Sequence, residues 1–185
     1  MQLLEQELVE ELQKQQEEFA YIIQKRHIHF DKNSILRQKE QAKQLACYLR
    51  DTPLKHALCA SFIWLCIFPV VLLDLTASLY HLICFPVYGI PKVKRQDYIV
   101  FDMQYLHYLN FFEKINCGYC SYVNGLIGYL QEIAARTEQF WCPIKHAKRI
   151  KNLHSRYYKF VSYGDAKQFR SQVENIRRDF KDLSE

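Results

Sequence analysis

The stretch ALCASFIWLCIFPVVLLDLTASLYHLICFPVYGI, residues 57–90, decides the fold. Its 34 residues carry one ionised side chain, Asp74, and one histidine, His81. A helical crossing of the bilayer core takes roughly 20 apolar residues, so a membrane segment is the first reading. As one straight helix the stretch would measure about 51 Å, against a hydrocarbon core of about 30 Å. One crossing leaves a surplus, and two crossings with a turn do not fit. Ala57 to Leu73 is interrupted only at Pro69; beyond Asp74 the text turns amphipathic, with Thr76, Ser78, Tyr80, His81 and Tyr88. Two geometries follow: a spanning helix whose end lies in the interface, or a re-entrant hairpin bent near Pro69 to Asp74.

Flanking charge bears on that choice, because cytoplasmic flanks carry excess Lys and Arg. Lys39, Lys43, Arg50 and Lys55 precede the stretch and Lys92, Lys94 and Arg95 follow it. Basic flanks on both sides favour both ends on the cytoplasmic face. A buried core helix is the weaker reading, since a chain of 185 residues has little else to cover so long a run. The stretch begins too far along, with no cleavage pattern after it, to read as a signal peptide.

The expected organisation is all-α: a charged helical arm over residues 1–53, the membrane segment over 54–91, and a helical tail over 92–185. Net charge is +5, unevenly spread: an acidic first 24 residues, then basic segments on each side of the apolar run. Basic text beside an apolar segment is what anionic headgroups attract. No recognisable nucleic-acid module accompanies it, which argues against a nucleic-acid partner. Residues 2–29 read as one helix with Leu4, Leu8, Leu12, Phe19, Ile22 and Ile23 on a broken stripe, a surface for a protein partner. Ser34 reads as the cap of a second helix over Ile35 to Arg50. Asp97 to Phe101 is short and β-like, and Asp102 reads as the N-cap of a helix through Asn116. A further helix spans Ser121 to Thr137, with Ser121, Gly125 and Gly128 letting another helix approach. Pro143 opens a basic amphipathic helix over Ile144 to Val161 that could lie on a membrane surface, and a last polar helix runs from Asp165 to about Asp182.

Seven cysteines are present. Cys59, Cys66 and Cys84 sit in the apolar run, where a thiol behaves as a small hydrophobe, and Cys47 lies on a charged helix. The chemical text is Cys117-Gly-Tyr-Cys120 followed by Cys142-Pro-Ile-Lys-His146. Three thiolates and an imidazole at these spacings form a tetrahedral zinc set, so Cys117, Cys120, Cys142 and His146 are the candidate metal ligands, with His107 as a spare. Cys142 at a helix N-cap would have its thiolate favoured. The set closes only if the intervening helix starts late, near Gly125, and Thr137 to Trp141 doubles back. The competing chemistry is thiol or iron redox on Cys117 and Cys120. Cys-Gly-Tyr-Cys resembles the active sites of thioredoxin-fold disulfide isomerases, but no β-α-β pattern surrounds it. Packed thiols in a helical core are the third reading.

The chain lacks Glu-x-x-His, which counts against a ferritin-like di-iron bundle, and shows no phosphate-cradling glycine loop and no Gly-x-Ser-x-Gly. A re-entrant hairpin resembles the membrane segment of monotopic phosphoglycosyl transferases, but their catalytic Asp-Glu dyad has no counterpart after it. Asp74, ionisable inside an apolar run, is a functional-site candidate by default. The stretches CFPVYGIPKVKRQDYIVFD (84–102) and YLNFFEKINCGYCSYVNGLIGYLQEIAARTEQFWCPIKHAKR (108–149) resemble small bacterial membrane proteins. That resemblance implies a bacterial inner-membrane origin and nothing on mechanism. The expected function is a membrane-anchored, non-enzymatic protein serving assembly or partner binding, its tail carrying a structural zinc; the alternative is a membrane-bound thiol or iron redox enzyme.

Overall fold

The computed structural model describes residues 2–24, 27–42 and 53–183. Among these the chain is mostly helical, so the all-α outline holds. Helices run over Gln2–Glu18 (α1), Lys32–Glu40 (α2), Leu54–Leu65 (α3), Ile67–Tyr88 (α4), Phe111–Trp141 (α5) and Ala166–Arg178 (α6), with one hairpin of Tyr21–Gln24 (β1) and His27–Phe30 (β2). Contacts gather the chain into two compact units: residues 1–60 with 101–121, and residues 61–100 with 122–185.

In the first unit the arm is not one helix to residue 29. α1 stops at Glu18, Ala20 takes φ +49°, and an antiparallel hairpin follows with Tyr21 opposite Phe30 and Ile23 opposite Ile28. Tyr, Ile and Phe suit a pleated ladder, and the Tyr21 and Phe30 rings meet at 5.6 Å. Asp31, rather than Ser34, caps α2 by accepting from the Asn33 N–H at 3.1 Å. The expected helix to Arg50 is seen only to Glu40; residues 43–50, with Cys47, lie outside the described residues. Asp102 begins only a short 3-10 turn, Met103–Tyr105. The true start of α5 is a capping box: the Glu113 N–H donates to Asn110 Oδ1 at 3.0 Å, and the Asn110 N–H to Glu113 Oε2 at 2.8 Å. The hairpin and α2 touch the chain that follows the apolar run. His27 Nδ1 lies 2.7 Å from Tyr105 Oη, and the His107 N–H donates to Gln38 Oε1 at 2.9 Å.

In the second unit the apolar run stays helical. The bend at Pro69 to Asp74 that a re-entrant hairpin would need is absent: α4 runs through it, and the short break at Cys66 lies where Pro69 removes one rung of the ladder. Leu58–Tyr88 is long and apolar enough to cross a membrane, and only 6% of its most apolar window is buried. It ends in a Schellman turn. Gly89 takes φ +68°, its N–H donates to Pro86 O at 3.2 Å, and the Ile90 N–H donates to Phe85 O at 2.9 Å. The chain then doubles back as a strap over residues 90–100. Phe85, Ile90, Val93, Leu126, Tyr129, Ile133 and Phe180 form the core that holds α4, strap, α5 and the C-terminal turn together.

The small residues of α5 admit this strap, not another helix. A Cβ on Gly125 would sit 2.4 Å from Tyr98 O, and one on Gly128 would sit 3.2 Å from the Tyr98 ring. The expected β-like segment over Asp97 to Phe101 is not a strand: Asp97 closes the 3-10 turn Arg95–Asp97 and irregular chain follows. Nor do Ile144 to Val161 form a helix. Ile144 pairs with Val161 in an isolated parallel bridge, and the loop between them folds around the Arg156 side chain, 2% exposed. Arg156 donates to Gln139 Oε1 at 2.6 Å and to Asp182 Oδ1 at 2.9 Å. These tertiary bonds override the helical periodicity of the loop.

Gly125→Ala forces the strap off α5 and is expected to cost about 1–3 kcal/mol, the range for overpacking. Gly118→Ala, whose Cβ meets nothing within 4 Å, is expected to stabilise the helix by up to about 1 kcal/mol. Thermal unfolding of the two variants checks the contrast.

Candidate functional site

Ionisable groups on an apolar helix must find partners or be expelled from their surroundings. On α4 Asp74 and His81 lie on one face with the hydroxyl of Ser78 between them, at spacings of four and three. That face meets Tyr122 and Tyr129 of α5 and the basic turn of the strap. Asp74 is 8% exposed. Its carboxylate accepts a two-pronged contact from Arg95, with Nη2 to Oδ2 at 2.7 Å, and further bonds from Tyr122 Oη at 2.7 Å and Ser78 Oγ at 3.1 Å. The paired geometry is what Arg supplies and Lys does not. Further along α4, the Val93 N–H donates to His81 Nε2 at 2.9 Å, so the neutral ring carries its hydrogen on Nδ1, 3.2 Å from Tyr129 Oη. The Arg95 guanidinium lies over the Tyr129 ring at 5.7 Å, which joins the two clusters into one polar seam.

The electrostatics follow from burial and pairing. The hydrogen bonds to Asp74 raise the Arg95 pKa above its ordinary value. Burial, then the hydrogen bond to Asp74, raises the Tyr122 phenol, and burial raises that of Tyr129. Both phenols therefore stay protonated: Tyr122 donates to Asp74, and Tyr129 accepts from His81 Nδ1–H. Further along α5, Arg136 donates to Glu132 at 2.8 Å and to Pro91 O at 2.9 Å, tying the strap's start to the same helix. Every seam group has a partner, so the arrangement holds two helices and a strap in register; it presents no unpaired nucleophile or base. The neighbouring apolar groove, lined by Leu73, Tyr80, Leu130 and Trp141 among others, does not include Asp74, His81 or Arg95.

The predicted ligand set looks different in the fold. Cys117 and Cys120 lie inside α5, which begins at Phe111 and runs unbroken to Trp141. Neither the late start near Gly125 nor the doubling back before Trp141 that the four-ligand site requires is present. Cys117 is also well past the free N–H groups of the helix N-terminus, the feature that activates a redox cysteine. Cys142 follows the end of α5 and caps nothing: its N–H donates to Glu138 O at 2.8 Å. His146 is exposed, its ring stacked near Tyr157 at 6.5 Å. Among the described residues no group of three or more His, Cys, Asp or Glu is placed to hold a metal ion. Of the sequence candidates, Asp74 alone sits in a built site. Its partners Arg95, Tyr122 and Tyr129 belong to no motif; the one signal is the seven-residue spacing of Tyr122 and Tyr129, matching that of Asp74 and His81.

Compared with protein-family models, curated proteins and solved structures, the chain matches none.

A second ionic cluster fastens the C-terminus. Asp182 takes Arg156 and Lys159, the latter at 2.7 Å, while Gln139 Nε2 donates to Ile176 O and Asp179 O at 2.8 Å, closing the end of α6. The Arg156 hydrogen bond holds the Asp182 carboxyl below its ordinary 3.8. A carboxylate with a depressed folded pKa stabilises above its unfolded pKa and loses that contribution as pH falls through the folded value. Asp182→Asn is therefore expected to remove about 1 kcal/mol at neutral pH, a modest figure because the side chain is 41% exposed. The difference from the parent should vanish in acid below the folded value, as read by unfolding across a pH series. For the seam, Asp74→Asn removes the charge that holds Arg95, and trypsin cleavage after Lys94 and Arg95 should quicken markedly over the parent.

Proposed function

We propose that this chain is a membrane-associated, non-enzymatic protein of the bacterial inner membrane, whose apolar helix α3–α4 sits in one leaflet, with the soluble parts of the chain cytoplasmic. One observation carries the reading: Leu58–Tyr88 is long enough to cross a membrane yet 6% of its most apolar window is buried. A core helix of a water-soluble domain would be largely covered. Here Phe62, Leu65, Phe68, Leu72, Leu79 and Val87 are 58–75% exposed. Burying such side chains in lipid is favourable by about 25 cal/mol per Å² of apolar surface.

The placement within one leaflet has its own support. His27 and Gln38 precede the apolar helix, Tyr105 and His107 follow it, and they touch within the first unit. Residues from before and after the helix that touch one another share one side of a bilayer, which supports entry without a crossing. Basic flanks on both sides agree. The polar seam serves the same placement by giving α4 one satisfied polar face toward α5 and the strap, which leaves the rest of its circumference for lipid. On α1, Leu8, Val9 and Leu12 are 60%, 53% and 43% exposed, which supports a protein partner or assembly through the arm. This reading needs no zinc on Cys117, Cys120, Cys142 and His146.

The protein is expected to pellet with membranes, to resist alkaline carbonate and to be released by detergent. Labels near Lys14 and Glu185 should react from the same side of sealed vesicles. Full recovery in the supernatant without detergent would sink the membrane reading; labelling from opposite sides would sink the single-leaflet placement alone.

A further inference from the structure

Beside the seam, on the flank of α4 that carries Leu73, Ala77 and Tyr80, an apolar groove of about 660 Å³ opens between α4 and α5. Its far wall is Leu130, Ala134 and Trp141, one face of α5 by their spacing of four and seven residues. The groove therefore follows the two helices lengthwise and has little polar lining until its Trp141 end. There Tyr80 Oη and Thr137 Oγ1 satisfy each other at 3.0 Å, and Glu138, which also lines it, faces His154 Nε2 at 3.0 Å. Trp141 packs edge-on against Tyr88 at 5.4 Å, and both belong to the side-chain type that favours the boundary between hydrocarbon and headgroups.

Directly beyond that end the chain turns basic. Lys145, Lys148, Arg149 and Lys151 follow within ten residues of Trp141, and the sequence has no acid between Glu138 and Asp165. None of the four has an ion-pair partner among the described residues, and Lys148, Arg149 and Lys151 are exposed. The loop is held in place at its root, where the Lys145 N–H donates to Val161 O at 2.8 Å and the Val161 N–H to Pro143 O at 2.9 Å. A linear apolar trough that ends at aromatic rings and then at uncompensated cations has the polarity order of one lipid: acyl chain, interface, phosphate.

We infer that this cleft binds a single anionic phospholipid, with an acyl chain along Leu73, Ala77, Leu130 and Ala134 and its phosphate against Lys145 and Lys148. The inference rests on the membrane reading, since one wall of the groove is α4, the helix whose exposed apolar side chains carry that reading, and the lipid would come from the same leaflet. It goes further than that reading by assigning a defined site and a headgroup charge. A helix of a second copy is the rival occupant; the loop's unbroken positive charge argues for phosphate, because a second copy would bring equal cations to the same place.

The test uses the full chain in detergent, exposed to phosphatidylglycerol or phosphatidylcholine and read by native mass spectrometry, alongside flotation on vesicles of each lipid. The parent should retain one phosphatidylglycerol per chain in preference to phosphatidylcholine. Ala134→Trp fills the groove from an exposed position and should abolish retention of either lipid while flotation persists; Ala77→Phe is a second variant for the same outcome. Lys145→Gln with Lys148→Gln should cut the preference for phosphatidylglycerol by up to about thirtyfold, the factor that about 1 kcal/mol for each of two surface lysines represents. Lys92→Gln with Lys94→Gln removes equal charge from the strap and should leave the preference unchanged. Retention by both groove variants, equal loss from the strap pair, or a groove variant that dissociates a dimer without losing lipid would each overturn the site. Failure of the parent to float on either vesicle would instead overturn the membrane reading beneath it.

Discussion

A carboxylate on an otherwise apolar helix is the constraint around which the second unit is arranged. Asp74 cannot face hydrocarbon or a dry interior as an unpaired charge without a penalty of several kcal/mol. Its solution is local and directional: Arg95 from the strap, Tyr122 from α5 and Ser78 from its own helix together satisfy the carboxylate. Because these partners come from three different places in the chain, satisfying one charge positions α5 alongside α4 and fixes the strap's return path. His81 repeats the device two turns later, with Val93 and Tyr129. The apolar residues that fill the space between, Phe85, Leu126 and Ile133, add burial without direction.

The same constraint gives the apolar helix two kinds of surface. Toward α5 and the strap it is polar, aromatic and closed; away from them it is aliphatic and open. Such an arrangement suits the membrane placement proposed above. The strap makes this possible because Gly89 turns the chain sharply and Gly125 lets the backbone of Tyr98 and Ile99 lie flat on α5. A side chain at position 125 would close that route, and with it the supply of Arg95 to Asp74.

Legibility varies with how local each determinant is. The apolar run is visible because about thirty consecutive side chains agree, and Asp74 stands out against them. The first helix and the short polar helix after Gly164 are likewise readable from neighbours in sequence. The hairpin at Tyr21 to Phe30 escapes a periodicity reading because Phe19, Ile22 and Ile23 continue a helical stripe, whereas the alternation of Ile and His after them serves a ladder. The basic stretch over Ile144 to Val161 misleads for a different reason: Arg156, which the helical pattern places on a solvated face, is buried by Gln139 and Asp182, residues that lie 17 and 26 positions away. The cysteines and His146 match a spacing rule, but spacing says nothing about an uninterrupted helix between the pairs.

Hydropathy and charge order along the chain are sufficient to determine that this protein has one lipid-compatible segment with basic flanks, since transfer of apolar surface from water depends on composition more than on partners. Which face of that segment is covered, which tyrosines and arginine answer its one carboxylate, and that the chain on either side meets within one unit are decided only in three dimensions. Those features rest on hydrogen bonds between residues 12 to 78 positions apart, and directional contacts at such separations leave no periodic trace in the sequence.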